Sequence, residues 1–459
     1  MTEYINLVIA GWVLNVFWGT WIFYRWWSGK NHLITYWNFF IIGSINFIGF
    51  GMVQNALGMT AAGHLGAGFE KASWIYISAA YLFYAIAGYV YYRPPRKPEK
   101  PKSPQQWWPN DTPATLAVTA LALSVIAVVL ALLPGFQGAQ IFFVAKGPLA
   151  IAAFFLGILA AIRYPLSPFI LVVLIITGVL GLFAVLTRGG GRRELLALLA
   201  CVPVAFYWQV LRHRSRKQNL FWLGGIAMAG LVIISAYATI RHQDRGAHDS
   251  KTDTAIARIK KLPAAVSERA KNIVIFGEQG AFIDAQNGVW AGMLVINLTT
   301  VDNDIDYDWF HCLHFIAVNP IPRAYWPNKP EGLGKILPVM MGERVVNWGP
   351  TVVGHCFYDG GWPIVIFYAV LLGAGFRFMD RRIALDPDNP WQLAMMVSVS
   401  GHLIGLSRGD CGVFFANILW GLVFVGGVAK IALVLLPRRY YSPYFHPAPL
   451  PSGATNRGS

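Results

Sequence analysis

The chain is 459 residues long, 56% hydrophobic and 13% charged, with a formal net charge of +15 and a mean hydropathy of +0.48. Its apolar residues come in blocks of about twenty, which marks a polytopic membrane protein and excludes a string of soluble domains. Nucleic-acid binding, the other reading of so much positive charge, is set aside because Lys and Arg sit mainly in short loops at alternate ends of apolar blocks, where they orient spans.

The amino terminus has no basic n-region, and its first apolar run continues into Trp21, Tyr24 and Arg25, so Ile5 to Tyr24 is expected to stay as a first span. Leu33 to Val53 is the second, and Arg25 and Lys30 place the turn between them in the cytoplasm. Ser73 to Tyr92 returns inward to RPPRKPEKPKSP, a basic, proline-rich linker (93–113) that cannot be helical. Thr115 to Leu133, Ile141 to Ile162, Pro168 to Leu186, Leu195 to Leu211 and Leu220 to Thr239 complete an N-terminal bundle of about eight spans over residues 1–240, with the cytoplasmic run RHRSRK before the last. Residues 241–361 then form a large external loop. Within it, 252–270 suits a surface helix at the membrane interface. Val289 to Leu298 is apolar but too short to cross, so it is expected to dip or pack; a crossing there would invert the later topology.

Trp362 to Phe376, Trp391 to Leu406 and Val413 to Leu436 make a C-terminal membrane segment (362–437), and residues 438–459 a disordered cytoplasmic tail. The count is about eleven transmembrane helices, amino terminus out and carboxyl terminus in: an all-α polytopic membrane protein. One basic cluster opposes this topology. TRGGGRRE places Arg188, Arg192 and Arg193 outside, which implies either two misassigned spans or arginines kept there to bind something anionic.

Several chemistries lack their apparatus: there is no GxxxxGK[ST] loop, no HExxH pair and no CxxC. Of the four cysteines, Cys312, Cys356 and Cys411 lie on or near the external side, where a Cys312–Cys356 bond and buried free thiols are both open. VDNDIDYD concentrates Asp302, Asp304, Asp306 and Asp308 but lacks the glycine and distal glutamate of a calcium loop, so it reads as solvated and no metal is expected.

The stretch from Asn319 to Gly361 carries six prolines, so it is neither a spanning helix nor a regular strand. Set into it are Arg323, Lys329, Lys335, Arg344 and His355, interleaved with Tyr325, Trp326, Trp348 and Tyr358. That mixture suits an anionic ligand with flat, sugar-like faces; the plainer alternative is a proline-stiffened connector with solvated charges.

IPRAYWPNKPEG (321–332), GPTVVGHCFYDGGWPIV (349–365) and SRGD (407–410) together resemble the pattern of Wzy-type O-antigen and oligosaccharide repeat-unit polymerases. The resemblance covers about the last 150 residues. It departs at His355, where a small or acidic residue would be expected. It implies a GT-C-type glycosyltransferase in the bacterial inner membrane, its active site facing the periplasm. Such an enzyme moves a growing glycan from undecaprenyl diphosphate to the sugar of an incoming carrier-linked repeat unit, making O-antigen or exopolysaccharide. No cofactor is implied. Partners would be the lipid-linked donor and acceptor, membrane lipid, a chain-length regulator and a flippase, and no nucleic acid.

Carried onto this chain, the resemblance gives Arg323, Arg344 and Arg408 to the diphosphate, with Lys329 and the Arg188, Arg192 and Arg193 cluster in support. A guanidinium can make paired charge-assisted hydrogen bonds to phosphate oxygens. Tyr325, Trp326 and Trp348 would stack on sugars. The catalytic base would be His355, Asp410 or Asp359. Plainer roles also exist: Arg323 as a headgroup anchor, Trp326 as an interface anchor, and Arg408 and Asp410 paired at a helix end. The rival activities are an O-antigen ligase using the same donor and a lipid-linked glycan transporter or flippase.

Overall fold

A computed structural model describes residues 4–58, 69–94, 111–132, 140–187, 192–225, 288–321, 323, 325–343 and 347–435, with a few positions between 260 and 267. Arg188, Arg344, most of the 93–113 linker, nearly all of the 252–270 segment and the tail lie outside them. Among the described residues the chain is all helical and contains no strand, and it is an all-α polytopic membrane protein.

The helices are α1 (Ile5–Trp27), α2 (Tyr36–Ser44), α3 (Phe50–Ala56), α4 (Phe69–Tyr92), α5 (Pro113–Leu132), α6 (Gln140–Arg163), α7 (Pro168–Leu186) and α8 (Arg192–Gln209). After them come four short helices, α9 (Gly288–Ile296), α10 (His311–Val318), α11 (Leu333–Met340) and α12 (Thr351–Tyr358), then α13 (Trp362–Leu385), α14 (Pro390–Leu406) and α15 (Cys411–Leu435). Nine segments among the described residues are long and apolar enough to cross a membrane: α1, the α2–α3 unit, α4 to α8, α13 and α15. The expected span at 391–406 is α14, a helix of 17 residues that is shorter than the rest. Of the expected span at 220–239, only the start is described, where residues 216–225 are helical. The span expected to end at Phe376 runs on to Leu385, because Arg377, Arg381 and Arg382 continue the helix past its apolar part. Residues 288–301 stay too short to cross and pack against α4 and α12, as their length required.

Proline and asparagine set the start of α14: Pro390 is its first residue, and the Asn389 side chain accepts from the amides of Trp391 and Gln392. The second span is interrupted. Between α2 and α3, Ile45–Gly49 form a π turn, which leaves backbone groups out of register. The turn closes on its own bond, Phe50 N donating to Ile45 O, and the Asn15 amide of α1, oriented with its nitrogen toward Ile45 O (2.9 Å) and its oxygen toward Phe50 N (3.3 Å), lies against it. Gly49 makes room, since a Cβ there would overlap the Asn15 side chain.

At one end of the bundle the helix termini are tied by charge. Asp380 accepts from the amides of Tyr36 (2.7 Å) and Trp37 (3.1 Å) and from Tyr91 OH (2.8 Å), joining α13, α2 and α4. Arg163 joins Asp111 (2.8 Å), Gln209 (3.0 Å) and the Asp388 carbonyl (2.7 Å), and Arg212 pairs with Asp388 at 2.5 Å. Arg25, Lys30, Arg93, Arg163, Arg212, Arg216 and Arg377 all belong to this basic end.

α6 is the centre of one half, packed on α5, α7, α8, α14 and α15; α4 packs on α13 in the other, and α2 joins the halves through α14. The halves are staggered. The Ser407 hydroxyl shares a hydrogen bond with Ser44 (2.7 Å), so the SRGD turn closes the C-terminal end of α14 beside the middle of the second span. Ser44 is twelve residues short of Ala56, about 18 Å at 1.5 Å per residue, so that span rises well past the turn. The space above is filled by α9 to α12.

Candidate functional site

α12 presents His355, and Asp359, four residues on and just past its end, lies on the same face. Asp410 caps α15, its Oδ1 accepting from the amide of Val413 (3.3 Å). The fold brings these three groups into one chain. His355 Nε2 is 3.0 Å from Asp410 Oδ1, and Nδ1 is 3.4 Å from Asp359 Oδ1. Both carboxyls have further donors: Asp410 Oδ2 accepts from Gly334 N (2.9 Å), and Asp359 Oδ2 accepts from Cys312 N (2.9 Å) and from the Tyr368 hydroxyl. His355 and Asp359 are fully buried, and Asp410 is 5% exposed.

Burial alone would strip the proton from His355. The hydrogen bonds and charges of Asp359 and Asp410 outweigh it and hold the imidazole well above its ordinary range. For Asp410, burial pushes the carboxyl up, but His355 and the amides of Gly334 and Val413 bring it below the ordinary value. The imidazole is thus held as a cation between two acids, with no lone pair left to accept a proton.

The close fit depends on glycine. A Cβ on Gly332 would overlap Asp410 Oδ2, one on Gly334 would overlap Asn347, and one on Gly354 would lie 2.6 Å from the Cα of Gly292 across the α9–α12 contact. Gly288 and Gly292 form a GxxxG pattern, a helix-packing signal present in the sequence. Thr351, first in α12, holds φ at +62°, a strained value for a β-branched residue, and its hydroxyl is fixed by Tyr76 OH at 2.9 Å.

The other expected residues divide. Arg193 reaches the SRGD turn: its guanidinium lies 3.8 Å from the ring of Phe414, and a Cβ on Gly405, in the last turn of α14, would be 3.1 Å from its Nε. Arg408 lies 5.8 Å over Phe47. Trp348 packs edge-on against Trp290 (5.1 Å), and a Cβ on the next residue, Gly349, would be 2.5 Å from the Arg408 carbonyl. Two cations instead point into their own loop. Arg323 donates to the carbonyls of Pro327 (3.0 Å) and Lys329 (3.2 Å) and pairs with Glu331 at 2.7 Å. Lys329 is buried and donates to Asn319 O (2.9 Å) and Ile321 O (2.8 Å). Its amine is lowered by burial first and by Arg323 second. Tyr325 is 84% exposed, and Trp326 lies 6.3 Å from His314. Arg192 opens α8.

Three neighbours escaped the sequence reading. Tyr368 and the Cys312 amide complete the bonding of Asp359, and His311 sits between Asp308 (2.7 Å) and the Glu331 carbonyl (2.9 Å). Cys312, His355 and Asp359 also place donor atoms within 4.8 Å of one another, a Cys, His and carboxylate set of the kind zinc accepts. Contact with Cys411, then burial, holds the Cys312 thiol up, which works against thiolate ligation. All four cysteines are free and buried, so Cys312 and Cys356 are not bonded. A scan of protein-family models, a search of characterised proteins and a search of solved structures each return no match to this chain.

Proposed function

We propose that the chain is a membrane glycosyltransferase that polymerises polyprenyl-diphosphate-linked repeat units on the side opposite its basic end, the periplasmic face of a bacterial inner membrane. The observation that carries this reading is the meeting of the three motif segments at one buried point. Gly334, two residues past the first motif, bonds Asp410 of the SRGD turn, and Asp410 bonds His355 of the second motif. Loop composition alone would not require that convergence.

In this reading each residue has a role. Asp410 is the least buried member of the chain and acts as the base, accepting the proton of the acceptor hydroxyl as that oxygen bonds the donor's anomeric carbon. His355, hydrogen-bonded on both nitrogens, is a positioning residue that fixes Asp410, and Asp359 in turn fixes His355. The carbon–oxygen bond to the carrier breaks, and the diphosphate leaves with the electron pair. Arg193 and Arg408, flanking the same turn, stabilise the negative charge that develops there. Arg323 and Lys329 hold the loop in shape.

Deleting the protein and sizing the surface glycan tests the reading. A polymerase defect leaves single repeat units on the lipid acceptor, whereas a ligase defect leaves full-length glycan on its carrier. Complementation with Asp410→Asn should leave only single units; a parental ladder from that variant would overturn the assignment.

A further inference from the structure

Between α1 and α4 lies an open-sided groove of about 810 Å3, within the range of small-molecule sites. α1 turns its buried stripe, Leu7, Leu14 and Ile22, away from solvent, and it meets α4 through Trp18, wedged over Gly88 where a Cβ would lie 2.5 Å from the ring, through the Ala10 carbonyl, which accepts from Tyr81 OH (2.9 Å), and through Trp21 against Tyr92 (5.8 Å). The walls are apolar and aromatic. Phe17 (55% exposed) and Tyr89 (68% exposed) form the open lip, facing the side on which a membrane-spanning helix meets lipid. At the basic end of the bundle the character changes. Arg93 lines the groove there, and the Arg25 guanidinium lies 4.8 Å from the ring centroid of Tyr92 and 6.0 Å from that of Trp21, two lining residues. Arg25 Nη2 donates to Asn31 (3.0 Å), but its enclosed Nε has no hydrogen-bond partner.

An apolar slot with one guanidinium at its end and a second against its aromatic wall is complementary to an amphiphile with an anionic head. We infer that the α1–α4 groove binds one anionic glycerophospholipid from the leaflet at the basic end, its acyl chains over Trp18 and its phosphate between Arg93 and Arg25. The match to that leaflet follows from charge: the basic residues that orient spans mark the cytoplasmic side, and anionic lipids give that surface its negative potential. Occupancy would fill the gap left between the two helices beside these contacts, so the lipid acts as part of the bundle. This site is separate from the Asp410–His355–Asp359 chain and does not depend on the activity proposed for it.

Native mass spectrometry of the detergent-purified full-length protein, delipidated and titrated with phosphatidylglycerol or phosphatidylcholine, reads the site directly. One phosphatidylglycerol should bind per chain, roughly tenfold or more tighter than phosphatidylcholine, the preference expected of two surface arginines. Arg93→Gln should reduce that preference several-fold while leaving phosphatidylcholine binding unchanged. Ala85→Trp, and independently Val13→Trp on the opposite wall, should fill the slot and abolish retention without altering the elution volume. Equal affinity for the two lipids, retention in both tryptophan variants, or displacement by an equal concentration of polyprenyl phosphate would each overturn the inference.

Discussion

His355→Gln keeps side-chain volume and polarity but removes the cation that two buried carboxyls share. In the parent, His355 is 3.0 Å from Asp410 and 3.4 Å from Asp359, and none of the three has appreciable contact with solvent. Removing one partner of a buried ion pair costs about 3–5 kcal/mol, because the partner left behind keeps its desolvation penalty. Here two are left, and proton uptake by one of them offsets part of the loss. Combining His355→Gln with Asp359→Asn should therefore destabilise by less than the sum of the single changes, by about 1 kcal/mol or more.

The pH dependence carries the sign. His355 has a folded value raised above its ordinary 6.5, so its contribution is complete below pH 6.5 and is lost as pH rises through the higher folded value. Asp410, depressed below 3.8, contributes above that pH and loses its contribution as pH falls through the folded value. The parent should thus weaken on the alkaline side. His355→Gln should be flat there and should regain stability as the medium is acidified toward the ordinary carboxylate range, when its unpaired acids take up protons. Tryptophan-fluorescence melts in detergent from pH 4 to 10 measure this. A variant within about 0.5 kcal/mol of the parent at pH 7, with the same alkaline limb, would refute the buried ionic chain.

Gly354→Ala drives a methyl into the Gly292 backbone and should cost about 1–3 kcal/mol with loss of activity; a parental melting temperature would show that α9 and α12 are not in contact. Arg323→Lys keeps the charge but loses the fork that holds three loop partners. It should weaken the 323–331 loop by about 1.5–3 kcal/mol, seen as faster proteolysis and shorter glycan at normal protein level; unchanged glycan would leave Arg323 without a role in activity. Arg193→Gln removes a cation stacked at 3.8 Å on Phe414 beside the SRGD turn and should cut polymerisation with little change in insertion, read from glycan length against protein abundance. In intact spheroplasts an impermeant thiol reagent should label a cysteine placed at the exposed Tyr325 but not one at Lys100; the reverse pattern would put the site on the cytoplasmic face.

Ten of the eleven expected spans are helices among the described residues, because a block of about twenty apolar residues has one stable arrangement in lipid, whatever its neighbours do. The charge alternation was equally local, and Arg25, Arg163, Arg212 and Arg377 do gather at one end. What sequence could not supply was partnership. The four-residue spacing of His355 and Asp359 on one helix face is readable, but the link to Asp410, 55 positions later, exists only after α12 and α15 meet. Composition marked Arg323 and Lys329 as cations free to meet a ligand. In the fold, a proline-rich loop has few internal amides for its own carbonyls, and these two side chains satisfy them. The π turn in the second span was invisible for the same reason: its own residues are ordinary apolar ones, and the polar residue that lies against it is 30 positions earlier in α1.

That pairing of Asn15 with the second span bears on how the protein is made. While the α2–α3 unit is alone in lipid, Ile45 O and Phe50 N bond each other within the π turn, and only the further contact that the Asn15 amide makes to them is missing. Asn15, for its part, is a polar side chain that α1 alone would expose to hydrocarbon. Its partners lie only on the second span. The first two are therefore expected to leave the insertion machinery together as a hairpin, and an Asn15→Leu chain to release its first span without waiting for the second.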